Sequence, residues 1–232
     1  TDTDVGKTTI AAGLLRAARL AGLSTAAVKP VASGCEAGAD GLRNSDALAL
    51  LAECSLPLSY AEVNPVAFEP AIAPHLAARE AGVALTVQSL LKPMQQILAR
   101  QADFTLIEGA GGWRVPLADQ DNLSDLAMAL QLPVILVVGV RLGCISHALL
   151  TAEAIARDGN AALCISILPD GSLDEGSLKM LKEVGIWMRR NGAAVYGSKA
   201  WSIPGEGEII NNKLKMLPGG GLNKRHAEFK FN

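Results

Sequence analysis

Neither sign of charge dominates this sequence: 21 basic residues face 23 acidic ones, a formal net charge of -2. So even a balance supplies neither a basic face for a nucleic-acid backbone nor a polybasic stretch for an anionic membrane. The clusters Arg189-Arg190 and Lys224-Arg225-His226 read as solvated surface. Aromatics are scarce, 4% of the chain, so the core has to be built from Ala, Leu, Val and Ile, which suits a parallel sheet covered by helices. The four cysteines, Cys35, Cys54, Cys144 and Cys164, stand far apart with no C-x-x-C pair. That argues against a disulfide framework or a thiolate metal site and for free thiols in a reducing cytosol. No apolar run reaches the roughly 18 residues that span a bilayer, and no signal peptide is read. The expectation is a cytoplasmic protein with neither a nucleic-acid nor a membrane partner.

Apolar spacing organises what is present. Ile10, Leu14, Leu15 and Ala18 recur at helical intervals from Lys7 to Ala21, with Gly22 as a stop. Thr25 to Val28 predicts a buried strand ended by Lys29-Pro30. Residues 31–44 read as loop, Asp46 to Ala52 as helix, and 55–73 as irregular chain holding three prolines. His75 follows Pro74 at a helix start, and Val87 to Arg100 is helical with Pro93 as a local irregularity. A strand at Phe104–Ile107, a helix near Leu123–Leu130 and a strand at Pro133–Val138 follow. His147–Arg157 then reads as helix and Ala161–Ile167 as strand. This alternation predicts an α/β fold with a doubly wound parallel sheet. After about residue 168 it stops. Asp174 to Arg190 predicts one long amphipathic helix, with Leu178, Leu181, Val184 and Met188 on one side, and irregular Gly-, Pro- and Lys-rich chain follows.

Chemistry concentrates at strand ends. Thr1-Asp2-Thr3-Asp4-Val5-Gly6-Lys7-Thr8-Thr9 closes in the G-K-T of a phosphate-binding loop and opens into a helix. Gly6 admits phosphate close to the backbone, and the first helical N–H groups point at the anion. Lys7 neutralises the β- and γ-phosphates, and the Thr8 hydroxyl coordinates magnesium. Magnesium takes oxygen ligands, for which Glu108 and Asp46 are the candidates. Glu108 ends the Phe104–Ile107 strand, on the side where open α/β sheets bind ligands, and Gly-Ala-Gly-Gly follows it. Asp46 is either a ligand or a helix cap. Lys29, at another strand end, either snorkels to solvent or stabilises a transferring phosphoryl group. Ser33 and Gly34 offer hydrogen bonds to a substrate from the same loop. His147 lies at a helix start that serves either as an anion site or as a plain capped end.

These segments resemble the dethiobiotin synthetase family. T-D-T-D-V-G-K-T at 1–8, K-P-V-A-S-G at 29–34, G-L-R-N-S-D-A-L-A-L at 41–50 and E-G-A-G-G-W at 108–113 carry the resemblance. P-V-I-L-V-V-G-V-R-L-G-C-I-S-H-A at 133–148 carries it further. It implies a P-loop NTPase-like fold and an ATP-dependent cyclo-ligase of biotin biosynthesis that uses Mg2+. The partners it implies are diaminononanoate, carbon dioxide and ATP, with the enzyme acting as a homodimer. Lys7 and Lys29 are then catalytic. Asp4, Val5, Gly6, Lys7, Thr8, Thr9, Asp46, Glu108, Gly109, Ala110 and Gly111 bind nucleotide, and Thr8, Asp46 and Glu108 hold the metal. Thr3, Ser33, Gly143, Cys144, Ile145 and Ser146 bind substrate, with Ser146 where the family usually has asparagine.

The resemblance runs from residue 1 to about 165. It predicts a ligase domain over 1–167 that lacks the family's first strand, and an unrelated tail over 168–232. Residues 169–199 resemble the last barrel helix of α-L-fucosidases, and 222–231 the segment after it. A partition-type regulatory ATPase is the alternative, though Asp2 stands where that class carries an extra lysine; an inactive chimera carrying a fucosidase fragment is another.

Overall fold

A computed structural model describes residues 1–159 throughout and, beyond them, the strands Ala162–Ile167, Ala194–Tyr196, Lys213–Lys215 and Glu228–Lys230. The predicted helix at Asp174–Arg190 and most of the two fucosidase-like segments lie outside the described residues. The chain divides into two compact units, one of Lys7–Leu132 and one of Thr1–Gly6 with Pro133–Asn232.

In chain order the first unit carries α1 (Lys7–Leu20), β1 (Thr25–Val28), β2 (Val31–Ala32), β3 (Glu36–Gly38) and β4 (Gly41–Arg43). There follow α2 (Ser45–Ala52), α3 (Tyr60–Val63), β5 (Val66–Ala67), α4 (Pro74–Glu80), α5 (Val87–Leu98), β6 (Phe104–Ile107) and α6 (Leu123–Leu130). The spacing of Ala11, Leu14, Leu15 and Ala18 makes α1 a helix with one buried stripe. It ends where Gly22 takes φ +83°. The Leu23 and Gly22 N–H groups fold back onto the Ala18 and Arg19 carbonyls, both at 3.0 Å, satisfying acceptors that a helix end leaves open.

Strands β1 and β6 pair in parallel, Thr25 opposite Phe104 through Val28 opposite Ile107. Alternation then sorts their side chains. Ala26, Val28 and Ile107 pack into a core with Leu90, Met94 and Ile97 of α5 and Leu123 and Leu126 of α6. Ala27, Phe104 and Leu106 face the other way, onto Ala11 and Leu15 of α1 and Ala47 and Leu50 of α2. Both faces are covered, so the strands read as unbroken apolar runs. Each fully buried Leu or Met contributes about 1.5–3 kcal/mol over its exposed state, which makes the α5 stripe a principal anchor of its layer.

Two stretches depart from the sequence reading. Residues 31–44 hold β2 and a β3–β4 hairpin, closed where Gly41 takes φ +96°. Each strand is only two or three residues long, so no alternation announces them. Residues 55–73 hold α3, whose Ser59 and Glu62 form a capping box, and β5, which pairs in parallel with β2.

The second unit carries β7 (Val134–Gly139), α7 (Cys144–Arg157), β8 (Ala162–Ile167), β9 (Ala194–Tyr196), β10 (Lys213–Lys215) and β11 (Glu228–Lys230). Its sheet runs in the order β7–β8–β9, all parallel, with Val134 opposite Ala162 and Leu163 opposite Ala194. Strands β10 and β11 form an antiparallel pair. The tail expected to be irregular thus carries short strands, each too brief to show a period. Helix α7 begins at Cys144 rather than His147, because Gly143 at φ +92° turns the chain into the helix three residues early. At Gly139 an added Cβ would stand 3.1 Å from the Val5 side chain, so a larger residue would require Val5 to give way by a few tenths of an ångström.

Candidate active site

Register alone brings two of the predicted residues together. Val28 and Ile107 are the last partners of β1 and β6, and the Glu108 N–H donates to the Val28 carbonyl at 2.8 Å. Lys29 and Glu108 therefore leave the same sheet edge as neighbours. Parity places Lys29 with Ala27, and Glu108 with Phe104 and Leu106, on the face that α1 and α2 cover. The N-termini of those two helices supply Thr8 and Asp46.

The four side chains close into one cluster. Lys29 Nζ lies 2.9 Å from Glu108 Oε1 and 2.8 Å from Asp46 Oδ2, and the Thr8 hydroxyl donates to Glu108 Oε1 at 2.8 Å. Lys29 and Glu108 are only 4% and 5% exposed; Lys29 does not snorkel. Burial opposes its charge, but Glu108 and Asp46 outweigh that and hold its pKa above the usual lysine value. Burial likewise opposes the charge of Asp46. The Lys29 ammonium, the Thr8 hydroxyl and the charge of Lys7 prevail and keep that carboxyl below the usual range. Asp46 is not the cap of α2. Asn44 is, its side chain accepting from the Asp46 and Ala47 N–H groups at 3.1 and 3.2 Å. Sequence reading missed Asn44, although Asn before an apolar helical run is a recognised start signal.

Glu108 Oε2 is buried without a hydrogen-bond partner. An orphaned carboxylate oxygen, beside a threonine hydroxyl and a second carboxylate, fits a hard divalent cation completed by phosphate and water. Among the described residues no group of three or more His, Cys, Asp and Glu forms a self-sufficient metal site. The glycines after Glu108 answer to packing as well. An added Cβ on Gly109 would sit 3.3 Å from Leu123, and Gly111 adopts φ 58°. Ala110 packs against the α5–α6 core.

The remaining predicted residues are placed as follows. Asp4 and Gly6 both take positive φ, 54° and 85°, bending the loop ahead of α1. Val5 is buried, and Thr3 and Thr9 are exposed. The Ser33 hydroxyl is buried and unpartnered, beside Gly34 at φ +71°. In the second unit Gly143 precedes α7 without a side-chain cap. The Cys144 thiol is buried, and its N–H donates to the Arg141 carbonyl at 2.9 Å. Ser146 is exposed on the first turn, and the His147 ring stands 3.9 Å from the Asp2 carboxylate. Among the described residues Cys35, Cys54 and Cys144 are free thiols, and no helix is long and apolar enough to cross a membrane.

Comparison with known proteins bears on the same segments. The AAA domain family matches residues 1–169. The ATP-dependent dethiobiotin synthetase of Pseudomonas paraeruginosa is 74% identical over 161 residues, 69% of this chain and 71% of that protein. That of Cellvibrio japonicus is 62% identical over 159 residues, 68% and 69% of the two chains. That of Yersinia pestis is 54% identical over 159 residues, 68% and 66%.

Proposed function

The chain belongs to the ATP-dependent dethiobiotin synthetase family, and we propose that the Lys29 cluster is where it drives ureido ring closure with ATP. One amine of diaminononanoate captures carbon dioxide as a carbamate. The carbamate oxygen takes the γ-phosphoryl group of ATP, releasing ADP and forming a carbamic-phosphoric anhydride. The second amine attacks the anhydride carbon and loses its proton; the C–O bond to phosphate breaks and inorganic phosphate leaves.

Phosphoryl transfer asks of a protein mainly position and fixed charge. Lys29 supplies both: it is buried, held by two carboxylates, and stays protonated across the neutral range. The observation that carries the reading is this ammonium at a strand end, beside Thr8 of the phosphate-binding loop. Asp4 to Thr9 cradle the triphosphate, with Lys7 on its β- and γ-oxygens, and Gly109 to Gly111 lie along the nucleotide. Thr8, Asp46 and Glu108 would hold Mg2+, which when bound neutralises charge on the β- and γ-phosphates. Thr3 and Ser33 bind the substrate, Ser33 through a buried hydroxyl that has no hydrogen-bond partner among the described residues. Gly143 to Ser146 receive the carboxylate of a substrate held by a second copy in a homodimer, with the Ser146 hydroxyl donating. The free thiols favour a cytosolic setting.

Incubation with diaminononanoate, bicarbonate and Mg-ATP tests the proposal. Dethiobiotin should form at the expense of ATP, and Lys29→Ala should abolish it. Product that persists unchanged in Lys29→Ala would remove Lys29 from the mechanism.

A further inference from the structure

Lys29 is followed by Pro30, which has no N–H, and stands where β1 gives out. Its backbone is nevertheless held on both sides. The Lys29 N–H donates to the Val63 carbonyl at 2.7 Å. Its carbonyl accepts from the Asn64 side-chain amide at 2.9 Å, and the same amide group donates to the Val66 carbonyl at 3.0 Å. Asn64 is 3% exposed, and its oxygen accepts from the Tyr60 hydroxyl at 3.0 Å. That hydroxyl in turn accepts the Asn44 N–H at 2.7 Å. Asn44 is the residue that caps α2 and so fixes Asp46. The Tyr60 ring is braced from outside by the Arg43 guanidinium, 4.3 Å from its centroid.

Resting on the ligase reading above, we infer that Tyr60 and Asn64 are positioning residues, a two-member relay that fixes the Lys29 ammonium relative to Asp46. The relay runs from the cap of α2 through one phenol and one amide to the Lys29 carbonyl. It joins the two partners of the 2.8 Å Lys29–Asp46 pair by a second, partly buried route. The hydrogen bonds of both side chains go to the protein itself. Each acts by holding a group of the cluster, and small displacements of reacting groups carry large rate penalties.

Tyr60→Phe deletes the hydroxyl and keeps the ring. Acylation of individual lysines by an amine-specific reagent, read by mass spectrometry, reports on Lys29 without reference to turnover. In Tyr60→Phe the labelling rate of Lys29 should rise about fivefold or more while the exposed Lys92 and the circular dichroism spectrum stay as in the wild type. In the synthetase assay kcat should fall about tenfold with KM for Mg-ATP within about twofold. Asn64→Ala, which breaks the relay at its other end, should give the same pattern. Lys29 labelling equal to the wild type in both variants overturns the inference, whatever the rates do. Absence of turnover in the wild-type chain would count against the ligase reading alone, since the labelling still decides the relay.

Discussion

Replacing Lys29 by methionine should do two separable things, and the structure sets the size of each. Glu108 is 5% exposed and would lose the Lys29 ammonium that lies 2.9 Å from it, retaining the Thr8 hydroxyl. Removing one member of a buried ion pair costs about 3–5 kcal/mol, because the other charge is stranded. The low end applies here, since the Asp46 side chain is 41% exposed and can rehydrate. We expect a loss of about 3 kcal/mol. With a urea slope of about 2 kcal/mol/M this is a midpoint shift of about 1.5 M. The double variant Lys29→Met/Glu108→Gln strands no buried charge and should return to within about 1 kcal/mol of the wild type. Its activity should not return, remaining at least about a hundredfold down, because in the proposed mechanism the missing Lys29 charge is the one that acts on the phosphoryl group. Urea melts followed by circular dichroism, with the synthetase assay alongside, measure both. The reasoning is refuted if Lys29→Met leaves the midpoint unchanged, or if the double variant is less stable than the single one.

The Asp46 carboxyl lies below its ordinary range and the Lys29 ammonium above its own, which sets a pH window. The contribution of Asp46 is present above the unfolded carboxylate pKa and is lost as pH falls through its lower folded value; that of Lys29 is present below the unfolded lysine pKa and is lost as pH rises through its higher folded value. The urea midpoint difference between wild type and Asp46→Asn should therefore be flat from about pH 6 to about pH 9 and shrink below about pH 4; a steady slope across neutrality would contradict it. Gly139→Ala forces a Cβ against Val5 and should cost about 1–3 kcal/mol. Adding Val5→Ala should recover most of that loss, and a pair whose thermal losses simply add would show that the contact is not the cause.

Much of the site was readable because its residues end elements with strong periods. Lys29 and Glu108 follow apolar runs whose strand character is plain, and the G-K-T opens a helix whose stripe is plain too. What sequence could not settle was which of two roles each residue takes. For Asp46, the cap reading falls only because Asn44 holds α2. Lys29 as snorkel or buried charge turned on partners from elements far apart in sequence. Residues 31–44 and 55–73 stayed opaque for another reason. Two- and three-residue strands contain no repeat to detect, and a one-turn helix announces itself only through Ser59 and Glu62. The Tyr60–Asn64 relay hides in that stretch, because its meaning lies in backbone carbonyls that no side-chain pattern displays.

The pairing of Val28 with Ile107 has a consequence for how this protein can change. Parallel strands convert a shift of one position into a change of face. A one-residue insertion inside β6 would not move Glu108 slightly away from Lys29; it would turn Glu108 toward the α5–α6 core and aim Ile107 at the ammonium, whereas a deletion would leave Gly109, with no side chain, in its place. Substitutions can therefore tune the site by degrees, whereas length changes in these four-residue strands can only keep it whole or abolish it. Variation in chain length has to be absorbed elsewhere, and the tip of the β3–β4 hairpin, exposed and outside that pairing, is where relatives of this chain have room to differ.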